Sequence, residues 1–549
     1  MKTLKSILLV AALLVGTITT QAQDIFDAVI KGDLANVKEL VEKEPPLLKA
    51  KNARQSTPLH VAAAYDNEEI AKYLIEKGSD IEAINGNSYT PLMYAGIKVA
   101  RLLVEIGADV NYKSRNGWSA LDETLWRGKK DVAEYLLDKG VTIPDINTPE
   151  GKDKLFASIR IGSIKYLDKC LQMGLNPMVE SEAKCNLIHF AAESNSIELI
   201  NKLIDLGVLI NKTNIYGWTP LHTAAYNGNK AVVELLIQQG LNMNERTIAG
   251  KSTYNLASEA NSIEILGYLD SLGADKSPQK FPVLTGDYLG QPKPSKKAEP
   301  FAPGILSAQA NYHSSVAFTP DGSELYGKSM MPISFLYSKR VDDKWTNPDT
   351  LKNMNYSDAP FISPDGKKFY FLAMQKVQGQ PMKELIYAMD KTSTGWSEPY
   401  PLPDIINSVP GIHWQASVDS KRNLYFGVRQ NGGVISRIYY SKFENGSYAE
   451  PKIVANLNDV DAHSPYIAPD GSYLIVSTPV SGLQILFRKK DGSWTGCKSV
   501  TEIIGYSGHC PIVTHDGRYL FFVHNVGDKF IPYWVDASFI EELRPKEVK

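Results

Sequence analysis

Five stretches in the second half of the chain carry a polar residue seven positions ahead of a turn. Ser314, Asp358, His413, His463 and His509 precede Asp321, Asp365, Ser420, Asp470 and Asp516, and His313 stands next to Ser314. Imidazole nitrogen and carboxylate oxygen are the donors that hold divalent metals, and protonated imidazoles hold anions. If these side chains converge, Asp358, His413, His463, His509 and His313 form a metal or small-ligand site. The competing reading is structural, with each histidine satisfying groups of its own unit or of the adjacent one. Other catalytic patterns are missing from the sequence: it has no Gly-x-Ser-x-Gly elbow, no His-Glu-x-x-His helix and no phosphate-binding glycine loop. The carboxylate pair Asp342-Asp343 falls in a hairpin turn and reads as solvated.

The segments that must position those residues alternate with a period of two, which means strands. "SSVAFTPDGSELYG", "DAPFISPDGKKFYF", "HWQASVDSKRNLYF", "HSPYIAPDGSYLIV" and "HCPIVTHDGRYLFF" repeat one hairpin, in which Gly accepts positive φ and Asp bonds the turn backbone. A second hairpin follows in most units, as in "RIYYSKFENGSYAEPKIV". Two hairpins make a four-stranded antiparallel sheet of about 50 residues, the size of a propeller blade. The recurrences resemble the Pro-Asp-Gly propellers of the TolB type, relatives of the WD-repeat class, over nearly all of residues 301–549. That resemblance implies an all-β propeller, for which five blades are expected and six are the alternative. The strand leading into each turn would then be innermost, which places the five polar positions around one mouth. The third unit departs from the pattern at Val418-Asp419-Ser420-Lys421. The last unit has three evident strands, so "FAPGILS" at 301–307 is expected to supply the fourth and close the ring, removing open sheet edges.

The first half is periodic in another way. "TPLHVAAAYDNEEIAKYLIEKGSDI" from Thr57 and "TPLHTAAYNGNKAVVELLIQQGLNM" from Thr219 align, with further starts at Gln23, Thr90, Ser119, Asp153, Asn186 and Ser252. Thr caps a helix, Pro fits its first turn, the Ala pair allows close helix approach, and the late Gly ends the second helix. These units resemble ankyrin repeats, so residues 23–277 are expected to form an all-α solenoid of about eight repeats whose stacked neighbours supply the core. The third repeat is about four residues short between Tyr94 and Ile97, which should compress its turn, and the repeat placed at Asp153 lacks Thr-Pro-Leu-His. The resemblance implies a protein partner. The finger residues Tyr89, Trp118, Tyr216 and Trp218 are the candidate contacts, and His60 and His222 read as structural.

Between the halves, residues 278–300 are proline-rich and read as a semi-extended linker on which Tyr288 and Leu289 dock to a neighbour. Residues 1–22, with Lys2, Lys5, the apolar run Ile7 to Val15 and a cut expected after Ala22, read as a secretory signal. A soluble exported protein follows, periplasmic or secreted, with no membrane span. The 59 basic and 61 acidic residues leave a net charge of -2, which argues against nucleic acid as a partner. Cys170, Cys185, Cys497 and Cys510 lack zinc-ligand spacing, and both disulfides and buried thiols fit their two close pairs. The expected function is therefore a non-enzymatic binding scaffold, with a protein partner on the ankyrin array and a protein, peptide or small ligand at the propeller mouth. No cofactor is expected, a divalent metal at the propeller axis being the one candidate. The alternative is a metal-dependent propeller enzyme, a lyase or hydrolase acting on carbohydrate or peptide through an axial histidine cluster.

Overall fold

Thr219 shows how the helical half is built. Its hydroxyl accepts from the His222 backbone, the His222 ring returns a bond to Thr219, and Pro220 fills the first helical position, where its missing N–H costs nothing. The computed structural model of the chain describes residues 23–306, 315–330, 333–351, 354, 357–375, 383–429, 435–457, 459–526, 529–546 and 548. The expected leader, 1–22, and His313 lie outside the described residues. Two units emerge. One holds residues up to 214 together with 219–245 and 253–276, and the other holds 215–218, 246–252 and everything from 277 onward.

The first unit is a row of helix pairs. Residues 23–31 pair with Leu34–Lys43, and pairs such as Pro58–Ala64 with Glu68–Glu76 and Pro220–Tyr226 with Lys230–Gln238 follow, eight in all among the described residues. One continuous apolar core runs through them, from Ile25 to Ala274. Buried histidines join neighbouring repeats. The His60 Nε2 lies 2.9 Å from the Tyr89 carbonyl in the next finger, and the His222 Nε2 lies 3.0 Å from that of Glu245.

Two irregular repeats resolve in ways the spacing did not show. The missing residues of the third shorten its first helix to Pro91–Tyr94 as well as tightening the turn after it. Asp66 of the preceding repeat then accepts from Val99 N at 2.9 Å, capping the second helix in place of a local side chain. A Cβ at Gly96 would lie 2.4 Å from Asp66 Cγ, so only glycine fits there. Gly96→Ala should displace that carboxylate and destabilise the array by about 1–3 kcal/mol, readable as a lowered thermal midpoint. An unchanged midpoint would show that Asp66 yields freely. The repeat placed at Asp153 starts earlier: its first helix is Pro149–Arg160, with Thr148 as the cap accepting from Gly151 N. Thr148-Pro149 is the displaced signal, on a helix lengthened by more than a turn.

The second unit is all-β, and its sheets form a propeller of five blades. The first blade runs Ala317–Phe318, Glu324–Met330, Ile333–Val341 and Lys344–Trp345, and the second begins with Ser357–Ile362, Lys368–Gln375 and Lys383–Thr392. The third and fourth are led by Ile412–Val418 and His463–Ile467. The fifth is His509–Val513, Tyr519–Val526 and Lys529–Asp536, completed by Glu299–Pro300. The closing strand is therefore just ahead of the expected 301–307. Glu299 pairs with Trp534 and Pro300 with Tyr533, after which Phe301 leaves the sheet and is fully buried against Phe521 and Trp534, with ring centroids 4.9 and 5.0 Å away.

The segment read as a linker packs within this second unit. Tyr288 stands edge-on to Phe318 and Tyr519, each at 5.1 Å, and Leu289 is buried beside them. Both adopt positive φ, and the Gly286 carbonyl accepts from the Trp345 indole at 2.7 Å. Aromatic burial fixes a stretch whose prolines alone gave only extension.

Candidate functional site

Four of the five innermost strands share an irregularity that decides where their polar residues go. The register with the second strand shifts between Asp358 and Phe361, His413 and Ala416, His463 and Tyr466, and His509 and Ile512. The residue after the polar position takes positive φ in three of them, at Ala359, Ser464 and Cys510. Such a bulge breaks strict alternation, so two consecutive residues no longer point to opposite faces in the ordinary way.

As a result the three imidazoles do not meet. His413 is buried, donating from Nδ1 to the Glu384 carbonyl of the preceding blade at 3.1 Å and stacking on Phe426. His463 lies against Trp414 of the preceding blade at 5.1 Å, where Gly427 leaves the room: a Cβ there would sit 3.1 Å from Trp414 Cβ and 3.4 Å from His463 Cα. His509 packs edge-on to Phe530 of its own blade. Burial holds His413 and His463 below the usual imidazole range. Asp358 takes a different partner, Lys328 Nζ, across the seam from the first blade at 2.7 Å. Among the described residues, no three His, Cys, Asp or Glu side chains group as metal ligands.

Residues next to the predicted ones meet instead. Ser464 Oγ lies 3.6 Å from Cys510 Sγ, the Ser315 backbone also bonds that sulfur, and Gln415 Nε2 donates to the Pro511 carbonyl at 2.9 Å, from the third blade to the fifth. Burial pushes the Cys510 thiol up to about 12, and the Asp358 carboxylate acts in the same direction. Glu384 joins this group. Burial and the charge of Asp358 push its carboxyl up to about 7 against the opposing pull of Lys328. The one-residue displacement follows from the bulges, which leave no simple signal in the alternation; the small residues Ser315, Ser464 and Cys510 at equivalent positions were the available clue. Towards the Pro-Asp-Gly turns the axis is filled, with Phe361, Tyr466, Ile512 and Val316 lining a cavity of about 20 Å³ that holds at most a water. The four cysteines form no disulfide.

The finger candidates divide. Tyr89 packs partly against the core with its ring 5.7 Å from Tyr94, and Trp118 is exposed, edge-on to Trp126 at 6.5 Å. Tyr216 is buried and Trp218 half-buried, so Tyr216 is withdrawn as a contact: its finger is tied by Ile248 N donating to the Tyr216 carbonyl at 3.1 Å. Spacing alone missed Trp126, which is 69% exposed, and Arg127, whose guanidinium lies over both Trp126 and Tyr94 at 5.5 and 5.7 Å.

Residues 25–114 and 188–280 match the family described as "Ankyrin repeats (3 copies)". The helical half carries ankyrin repeats. Among curated proteins, a human transient receptor potential cation channel subfamily A member 1 is 30% identical over 34% of this chain and 17% of its own length. Its Drosophila melanogaster namesake is 26% identical over 41% of this chain and 20% of its own. The chain thus spans a fifth or less of these relatives. The solved human ASB11 ankyrin repeat domain is 25% identical, with 39% of this chain and 97% of that one covered and a TM-score of 0.29. Ankyrin repeats imply protein–protein interaction, and among the described residues no helix is long and apolar enough to cross a membrane.

Proposed function

We propose that the chain is an exported, non-enzymatic scaffold whose ankyrin array holds a protein partner and whose propeller, of the TolB type by its Pro-Asp-Gly turns, is a second binding module. The observation that carries this reading is the exposed aromatic group of the third and fourth repeats. Trp118 and Trp126 stand against each other, and Arg127, held by Glu123 at 2.6 Å, braces Trp126 and Tyr94. Large rings already fixed in place lose little entropy on binding, which is why tryptophan, tyrosine and arginine dominate interface energetics. The composition of residues 1–22 supports export, with Gln23 as the mature terminus.

The chain from residue 23, immobilised and exposed to an envelope extract of its source, should retain a defined protein. Trp126→Ala should cut that retention by roughly tenfold or more with the thermal midpoint unchanged, since the ring is mostly solvated. Equal retention by the variant would remove this surface from the reading, and no specific retention by the folded chain would count against the scaffold itself.

A further inference from the structure

Three neighbouring fingers of the ankyrin array share one sign of charge. Residues 50–56, 84–90 and 112–119 hold Lys51, Arg54, Lys113 and Arg115 and no carboxylate. All four cations are exposed, and among the described residues none is in an ion pair. In the next two fingers, residues 144–150 and 176–186, the sign reverses, with Asp145, Glu150, Glu180 and Glu182 against Lys184. Cations gathered on one surface without counter-charges repel one another, and an anionic segment laid across them relieves that repulsion.

The three fingers form one preset surface. Gly86 N donates to the Arg54 carbonyl at 3.1 Å and the Tyr112 hydroxyl donates to the Ser88 carbonyl at 3.1 Å, so each finger is laced to the next. Within each tip a side-chain oxygen fixes the turn. Asn52 Oδ1 accepts from Arg54 N at 2.9 Å, Asn85 Oδ1 from Tyr89 N at 3.1 Å, and Ser114 Oγ from Trp118 N at 3.1 Å. These loops are therefore ordered before a partner arrives, and binding loses little to ordering them.

The shortened third repeat sets an apolar step beside the charges. Its first helix has 4 residues, where Pro58–Ala64 and Ala120–Trp126 on either side have 7. The difference withdraws that helix end by about 4.5 Å. Tyr94 ends the short helix, half-buried, with its ring 5.7 Å from Tyr89. Arg127 reaches over Tyr94 from the fourth repeat, and its Nε bond to Glu123 leaves Nη1 and Nη2 uncommitted among the described residues. Trp126 and Trp118 continue the same face.

We propose that these three fingers and the step between Tyr94 and Trp126 bind an extended acidic segment of a protein partner, one that carries a bulky apolar side chain among its carboxylates. This rests on the reading of the array as a protein-binding surface and gives that partner its chemistry. The carboxylates meet Arg54 and Arg115 at the fingertips, and the apolar side chain enters the step against Tyr94 and Trp126. Packed helices lie about 8–10 Å apart, so Arg54 and Arg115, two repeats from each other, are spanned by about six extended residues. A longer polyanion, such as a nucleic acid, would run on into Asp145 and Glu150, whereas a segment of that length stops before them.

Calorimetry on the chain from residue 23 with the acetylated, amidated peptide Glu-Glu-Asp-Phe-Asp-Glu-Glu tests this directly. Saturable binding is expected, weakening roughly tenfold or more as salt rises from about 0.05 to about 0.5 M. Lysine in place of every acid should abolish binding, and serine in place of phenylalanine should weaken it roughly tenfold. Arg54→Glu combined with Arg115→Glu should weaken binding roughly tenfold or more with the melting midpoint unchanged. Should that midpoint fall, Arg115→Gln decides instead, with about threefold weakening expected. Silence with the acidic peptide, equal binding of the lysine peptide, or unaltered binding by these variants overturns the site. Tighter binding of an oligothymidylate, lost in the same variants, overturns it in favour of a general polyanion surface. A silent titration alongside intact partner retention overturns the acidic chemistry alone and leaves the scaffold reading standing.

Discussion

Phe301→Ala lowers the stability of the propeller by about 3–5 kcal/mol, the range for removing a fully buried aromatic side chain from a packed core. Phe301 follows the two residues that complete the fifth sheet, and it is buried with Phe318, Phe521 and Trp534 around it. Truncation leaves a cavity where the closing segment is anchored, so the effect should concentrate in the blades it joins. Hydrogen exchange followed peptide by peptide separates this from the helical unit. Tyr519–Val526 and Lys529–Asp536 should lose protection by several orders of magnitude while Pro220–Tyr226 keeps its own. Undiminished protection in the fifth blade would mean that Glu299–Pro300 closes the ring without its aromatic anchor.

Acid should loosen the ankyrin array before its carboxylates are protonated. Burial pushes His222 down to about 4, and desolvation lowers His60 as well. An unfolded chain takes up these protons near pH 6.5, whereas the folded array resists them until His222 titrates, so the unfolded state binds more protons throughout that interval. Stability is therefore level above about pH 6.5 and falls as pH drops from there towards 4, by about 3 kcal/mol at most from His222. His222→Gln should start less stable at pH 7, having lost the links to Thr219 and Glu245, yet lose less on going to pH 5. Exchange rates in Pro220–Tyr226 and Thr253–Glu259 at the two pH values read the difference. Parallel losses in the variant and the parent would place the acid sensitivity elsewhere.

The repeat spacings are strong evidence because each recurring residue has a local task that geometry enforces. Thr219, Pro220 and His222 cap, start and tie a helix, and Gly after Asp accepts positive φ in a hairpin, so both halves could be read in order and number. Boundaries were less legible where tertiary packing overrides composition. Residues 278–300 look like a spacer, but Tyr288 and Leu289 take strained backbone to reach an aromatic pocket formed by strands far away in sequence. The fifth repeat hid its cap at Thr148 because its helix is longer. The histidines recur in register, as the sequence says, but a bulge after each turns the geometry by one residue, and a period-two reading carries no term for that. His413 and His463 then serve the seams between blades. The charged residues Lys328, which donates to Asp358, and Glu384 stand on second and third strands, at positions that recur in no motif.

The pairing of Glu299 with Trp534 also sets the timing of assembly. A ribosome makes the outer strand of the last blade before it makes any other part of the ring, and the partner emerges about 230 residues later, roughly ten to fifty seconds at ordinary elongation rates. Throughout that interval the early strand has nothing to zip against and the growing fan of sheets keeps two raw flanks. Emergence of the strand that carries Trp534 is thus the event that commits the β half to its native circle, and loss of that strand would leave the fan permanently open.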